Sequence, residues 1–226
     1  MELTELVLHM ALIIFIYVNA VFVLAWIIKD NGIMDIAWGI GFILIAWYGL
    51  LQSQSTDPRQ WIVTILVTLW GLRLSGHIFI RNLGRGEDFR YKNWREQWGK
   101  FAILRSYFQV YLLQGTLIIV FSAPVWIIHL YSSGELLFWD YLGATIWLVG
   151  WLIESLADYQ LLRFKKRRND SSEIMQTGLW KYSRHPNYFG ESVTWWGLGI
   201  MAISVPFGLI TLLSPALLTF FLLRVS

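Results

Sequence analysis

The chain has no cysteine in its 226 residues, which removes disulfide frameworks, thiolate zinc sites, iron–sulfur clusters and cysteine nucleophiles together. Charge is scarce as well. Asp, Glu, Lys and Arg make up 15% of the residues, against about 25% in an average soluble domain. So few water-facing side chains exclude an ordinary soluble domain, a disordered chain and a free nucleic-acid binder. No HExxH or paired-histidine spacing offers a metal site, and no GxGxxG follows a strand to open a dinucleotide fold. The bulk of the chain is apolar: 56% hydrophobic residues, with 14 Trp, 14 Phe and 10 Tyr. This is the composition of a polytopic membrane protein.

A hydrocarbon core of about 30 Å requires roughly 20 apolar residues per helix. Seven stretches qualify, near residues 6–28, 33–51, 61–80, 107–131, 136–162, 187–205 and 207–224. The expected fold class is therefore all-α, one integral-membrane domain over residues 1–226 with seven transmembrane helices. Only Glu2 and Glu5 precede the main part of the first stretch, without a basic n-region or small-residue cleavage site. It reads as a retained helix, not a signal peptide. Pro206-Phe207-Gly208 predicts a hairpin between the last two helices, and Pro124 and Pro215 predict kinks in the fourth and seventh.

Basic residues set the orientation. Arg81, Arg85, Arg90, Lys92, Arg95, Lys100 and Arg105 lie between helices three and four. Arg163, Lys165, Lys166, Arg167, Arg168, Lys181 and Arg184 lie between helices five and six. These are 14 of the 18 Lys and Arg. The positive-inside rule makes that side cytoplasmic, with the N-terminus out and the C-terminus in.

Ionisable groups within a bilayer cost roughly 2.5–3.5 kcal/mol each on insertion scales, so their placement carries information. On this topology Asp35, Arg73, His77, Glu154, Asp158, Asn187, Glu191 and Arg224 all fall in the cytoplasmic half. The outer half has only His9, His129 and Asp140, scattered near interfaces. Arg73, His77 and Arg81 share a helix face through their spacing of four, as do Glu154 with Asp158 and Asn187 with Glu191. The pattern predicts a polar cavity open to the cytoplasm. Structural ion pairs, such as Asp35 with Arg73, are the alternative for any one residue.

The stretch Gly178-Leu179-Trp180-Lys181-Tyr182-Ser183-Arg184-His185-Pro186-Asn187-Tyr188-Phe189-Gly190-Glu191 concentrates the chemistry. Pro186 suits the first turn of a helix, where its missing N–H is not needed. The free amides and dipole of that turn favour an anion, with Arg184, His185 and Lys165 to Arg168 nearby in the loop. Asn187 and Glu191 lie one turn deeper, suited to reading amide and hydroxyl groups. Tyr182, Tyr188 and Trp180 are stacking candidates or interfacial aromatics. The loop Arg81-Asn82-Leu83-Gly84-Arg85-Gly86-Glu87-Asp88-Phe89-Arg90-Tyr91 adds glycines that allow tight turns near a phosphate.

The motif GLWKYSRHPNYFGE, preceded by Ala157 to Lys165, resembles the C-terminal half of the steroid 5-alpha-reductase superfamily, in particular its bacterial branch of uncharacterised membrane proteins. Trp70-Gly71-Leu72-Arg73-Leu74-Ser75 leading into Arg81-Asn82 and Gly84 to Tyr91 carries the same resemblance, which spans roughly residues 33–225. Sterol reductases and isoprenylcysteine carboxyl methyltransferases share the Arg184-His185-Pro186 core. The resemblance implies NADPH bound from the cytoplasmic side. On matching positions it implies cofactor contacts from Asn187, Glu191, Asp158, Arg163 and Arg224, with Arg81, Asn82 and Arg85 in a covering loop. Glu154, Tyr182, Arg184 and His185 complete the expected cofactor set. No metal is implied.

The expected activity is an NADPH-dependent reduction of a C=C bond conjugated to a carbonyl in a lipophilic substrate drawn from the bilayer. His77 or Tyr91 is the expected proton donor, oriented by Asp35, with Arg73 fixing charge. Two other classes stay open. One is an S-adenosylmethionine-dependent methyltransferase, the other a non-catalytic lipid- or sterol-binding protein. Expected partners are this substrate and membrane lipids, with no nucleic acid. A bacterial inner membrane is the location that the resemblance implies.

Overall fold

A computed structural model describes residues 2–54, 56–84, 86–168, 170 and 172–224. Among these residues the secondary structure is helical, with no strand. The helices are α1 (Leu3–Ile28), α2 (Ile33–Ser53), α3 (Pro58–Asn82), α4 (Phe89–Trp98), α5 (Ala102–Ser106), α6 (Leu113–Phe121), α7 (Ala123–Tyr131), α8 (Phe138–Arg167), α9 (Pro186–Ala202) and α10 (Leu213–Arg224). The chain packs as two compact units, the first running to Leu130 and the second beginning at Tyr131.

Among the described residues, four segments are long and apolar enough to cross a membrane: Leu3–Ile28, Ile33–Ser53, Pro58–Asn82 and Phe89–Phe121. They mark the chain as an integral membrane protein. In the second unit, α8 is long but carries Glu154, Asp158 and a basic last turn. Helix α9 has 17 residues, about 26 Å at 1.5 Å per residue. Length and composition alone therefore single out four of the seven expected spans among the described residues.

In the first unit, α1 buries Leu6, Met10, Ile14, Val18, Val21 and Ala25, spaced three or four apart on one face. The opposite face leaves Leu12, Ile16, Val23 and Ile27 exposed, as suits a helix bordered by lipid. The Tyr17 hydroxyl donates to the Ala37 carbonyl at 2.7 Å and ties α1 to α2. Helices α2 and α3 touch backbone to backbone: a methyl group on Gly39 would collide with the Gly71 carbonyl oxygen. Phe42 and Trp70 pack edge to face beside this contact.

The fourth span expected over 107–131, with its kink at Pro124, is interrupted just before that proline. Residues Tyr107–Leu112 form a π-helical turn, α6 ends at Phe121, and α7 restarts at Ala123 after a cap at Ser122. Pro124 has no amide hydrogen to continue the ladder. Ser122 meets the broken end by donating its hydroxyl to Ile119 O. The stretch expected as a loop between the third and fourth spans instead contains α4. Asp88 caps it by accepting from the Arg90 amide at 3.0 Å.

The second unit rests on α8 against α9. A methyl on Gly150 would collide with the Thr194 backbone nitrogen, and one on Gly190 would lie 2.5 Å from that of Glu154. These contacts admit no side chain, so the two backbones meet directly. After α9 the chain turns through Phe207, whose φ is 63°, into a 3-10 segment, Gly208–Leu212, and then α10. Pro215 sits in the first turn of α10, directly after the change from 3-10 to α geometry.

Candidate active site

Close helix packing positions the polar groups of the second unit. Glu154 and Asp158, one turn apart on α8, are both buried. Asn187, in the first turn of α9, donates its amide to Asp158 Oδ1 at 3.3 Å. Its own Oδ1 is buried with no hydrogen-bond partner among the described residues. A buried acceptor without a donor costs roughly 1–3 kcal/mol, so this oxygen is suited to receive an N–H from a bound group. Pro186 opens α9, and the rings of His185 and Tyr188 stack with centroids 5.1 Å apart. Glu191 lies one turn further along α9, half-buried.

The segment before α9 is fastened to α8. The Leu179 amide donates to Gln160 Oε1 at 3.0 Å, and Trp180 Nε1 donates to the Ala157 carbonyl at 3.0 Å. Trp180 thus has a fastening role that the aromatic pattern does not reveal. Gln160, part of the Ala157–Lys165 stretch but not among the expected site residues, takes Gly178, whose φ is 62°, directly on its side chain. Five residues expected at the cofactor lie outward. Tyr182 is 84% exposed; Arg184, His185 and Arg224 are exposed; and Arg163 donates to the exposed Tyr159 hydroxyl, not to buried Asp158.

The first unit holds a separate cluster. Tyr91, buried on α4, donates its hydroxyl to Asp35 Oδ1 at 2.5 Å. Arg90 reaches Asp35 Oδ2 at 2.9 Å and Asp88 Oδ1 at 3.0 Å. Asp35 therefore pairs with Arg90, where the sequence suggested Arg73. The expected juxtaposition of Tyr91 with Asp35 is present. Neither His77 nor Arg73 hydrogen-bonds to either of them; both stand half-buried on α3 and make other interactions. Burial pushes the Asp88 carboxyl up, but hydrogen bonds from the Arg90 side chain and amide outweigh it and hold the carboxyl below its ordinary range.

A second network braces α4. Arg95 pairs with Glu87 and donates to the Lys29 carbonyl at 3.1 Å. Glu87 accepts the Asn31 amide at 3.1 Å, and Tyr111 donates to Asn31 Oδ1 at 3.0 Å. Arg81 Nε donates to Asn82 Oδ1 at 3.2 Å, beside Gly84 at φ 74°. Arg85, expected in the covering loop, lies outside the described residues.

Two polar groups expected to be scattered near the outer interface are instead built into the packing. His129 is 4% exposed, and its ring nitrogen Nε2 meets Thr64 Oγ1 at 3.2 Å. Gln60 donates to the His129 carbonyl and accepts from Ser53, and Arg59 is fully buried. Asp140, also buried, caps α8 by accepting the Leu137 amide at 2.7 Å. The His129 bonds join residues far apart in the chain, so no local pattern announces them. Among the described residues, no group of three or more His, Asp or Glu could hold a metal ion.

The geometry defines a helical membrane protein with acid–amide chemistry at the start of α9. The family described as "Protein of unknown function (DUF1295)" matches residues 21–226. The chain belongs to this family, which is part of the steroid 5-alpha-reductase superfamily. An uncharacterized protein of Schizosaccharomyces pombe is 26% identical over 72% of this chain and 53% of its own length. A steroid 5-alpha-reductase of Gossypium hirsutum is 36% identical over 37% of the chain and 34% of its own length. A 3-oxo-5-alpha-steroid 4-dehydrogenase 1 of Bos taurus is 35% identical over 28% and 24%. The matched regions thus span about half or less of these curated relatives. No solved structure matches the chain significantly.

Proposed function

We propose that this protein is a membrane reductase that uses NADPH to saturate the C=C bond of a lipophilic enone. The observation that carries the reading is the part-buried Asp158–Asn187 pair with its spare, buried Asn187 Oδ1. This pair sits inside the motif that resembles the reductase superfamily. Named relatives are steroid 5-alpha-reductases, which supports the reaction class. The residues fit the cofactor's donor set. A carboxamide N–H suits Asn187 Oδ1, hydroxyls suit Asp158, Glu154 and Glu191, and phosphates suit Arg184 and His185 ahead of α9. Bound NADPH would supply a hydride, two electrons with one hydrogen, to the β carbon.

The remaining proton comes through the chain's own groups. Tyr91 is the proposed donor to the carbonyl oxygen, where its O–H stabilises the developing enolate. In the structure this hydrogen is donated to Asp35, so the step requires the phenol to turn toward substrate, and water then reprotonates the phenolate. Arg90 holds Asp35 in place from its other oxygen. The enol then becomes the saturated ketone by taking a proton from water at the α carbon and releasing its O–H proton to water, so one hydride and one proton are added in all. Seven spans with the N-terminus out, a cytoplasmic cofactor side and a bacterial inner membrane belong to the same proposal.

Thermal unfolding of the detergent-purified chain tests it. NADPH at a hundredfold excess over Kd is expected to stabilise by roughly 2.7 kcal/mol. The effect should exceed that of NADH and disappear in Asn187→Ala. Stabilisation by S-adenosylmethionine alone would move the protein to the methyltransferases. Lipid-dependent stabilisation with no cofactor response would make it a binding protein.

A further inference from the structure

Helix α8 carries a second feature that the reductase reading leaves unused. Tyr141, Thr145, Leu148, Leu152, Leu156, Tyr159, Arg163 and Lys166 follow one another at steps of three or four and so line one face. The five large apolar members are all exposed: Tyr141 62%, Leu148 49%, Leu152 53%, Leu156 47% and Tyr159 57%. At its basic end the lane opens into a recess of about 420 Å³ lined by Tyr159, Leu162, Arg163, Lys166 and Arg167. Arg163 donates to the Tyr159 hydroxyl at 3.4 Å, leaving the phenol hydrogen without an acceptor among the described residues. Among the described residues, none of the three cations is paired with a carboxylate there.

We infer that this recess binds the phosphate headgroup of an anionic phospholipid, with an acyl chain laid along Leu156, Leu152 and Leu148. Three cations and a phenol hydrogen are complementary to a phosphate diester, which offers acceptors only. The apolar lane selects a lipid over a free phosphate. From Tyr159 to Leu148 it measures about 16 Å at 1.5 Å per residue, close to half of the roughly 30 Å hydrocarbon core, the depth of one leaflet. On the proposed seven-span topology, on which this inference rests, the basic cluster stands where α8 leaves the apolar layer, the position at which Lys and Arg attract anionic lipids. Each of the two features alone is common. Their continuity on a single helix face points to one amphipathic ligand.

The test uses the full chain in uncharged detergent, titrated with dioctanoyl phosphatidylglycerol, dioctanoyl phosphatidylcholine, inorganic phosphate and NADPH while unfolding temperature is followed. Phosphatidylglycerol is expected to stabilise at a concentration at least tenfold below phosphatidylcholine, and inorganic phosphate to do nothing. The double variant Lys166→Gln/Arg167→Gln removes two cations from the headgroup and should raise the phosphatidylglycerol half-effect concentration by about 30-fold. Its NADPH response and unliganded unfolding temperature should not move. The charge-keeping Lys166→Arg/Arg167→Lys should return to within about threefold of the parent. Equal responses to the two lipids would overturn the proposal. So would an equal response to inorganic phosphate, or a double variant that loses NADPH binding and keeps the lipid; the last would hand the recess to the cofactor.

Discussion

The acid–amide site on α8 and α9 and the Asp35–Tyr91 site on α2 and α4 are both sheltered and polar, yet they are held in opposite ways. At the first, glycines bring two backbones into contact, and the functional side chains follow from that main-chain packing. At the second, partners 56 residues apart in sequence are held by charge and hydrogen bonds, with Arg90, Arg95 and Glu87 bracing a short helix. The difference teaches where each site is vulnerable. Steric change breaks the first, and removal of single polar groups breaks the second.

The largest effect belongs to the packed seam. Gly190→Val would force side-chain atoms into the Glu154 backbone, with the first carbon only 2.5 Å from its nitrogen. Overpacking of this kind costs about 3 kcal/mol or more, read as a lowered unfolding temperature with loss of the NADPH response. Gly76→Ala, where nothing lies within 4 Å, serves as the control and should leave both unchanged. If the two variants behaved alike, the direct backbone contact would not be what holds α8 to α9.

Next comes the proton donor. Tyr91→Phe is expected to lower turnover by roughly 10²–10³-fold, the usual effect of removing one donor to a developing oxyanion. NADPH stabilisation should persist, because Tyr91 is not among the proposed cofactor residues. His77→Phe should leave turnover within a few-fold of the parent. The reverse ranking in steady-state assays would transfer the donor role to His77.

Smaller effects sharpen the picture of the braced helix. Arg95→Gln removes the Glu87 ion pair and weakens the bond to the Lys29 carbonyl. For a partly exposed pair this is expected to cost about 1 kcal/mol, seen as faster amide exchange in α4 before any change elsewhere.

The smallest effect is a pH dependence. Asp88 has its carboxyl held below its ordinary range in the folded protein. Its contribution is therefore present above the unfolded carboxylate value of about 3.9 and fades as pH falls through the lower folded value. Asp88→Asn should flatten that acid limb of the unfolding curve while keeping a capping side chain.

Several features of the fold are legible in the chain alone. Long apolar runs disclose α1, α2 and α3 because lipid demands length and hydrophobicity, both written locally. Asn187 and Asp158 stand out because the motif places them on two consecutive helices. Helix α4 escapes such a reading because its residues are too polar to suggest a span, although Asp88 ahead of Phe89 is a usable capping signal. The break at Ser122 is announced by Pro124, two residues on, whereas the His129 cluster escapes for another reason: it depends on which groups satisfy a buried polar atom.

Composition and periodicity by themselves determined that this chain is helical, membrane-embedded and equipped with a polar motif at the start of α9. Those properties follow from residue-to-residue spacing along a helix and from the cost of polar groups in lipid, and neither requires knowledge of a neighbour. Only the tertiary structure decided that Asp35 belongs to Tyr91 and Arg90 and not to Arg73, that Arg163 turns outward to Tyr159, and that Asn187 keeps one buried acceptor open. A side chain can reach several partners from one backbone position. Which one it takes is settled by the packing that brings a donor within about 3 Å of an acceptor.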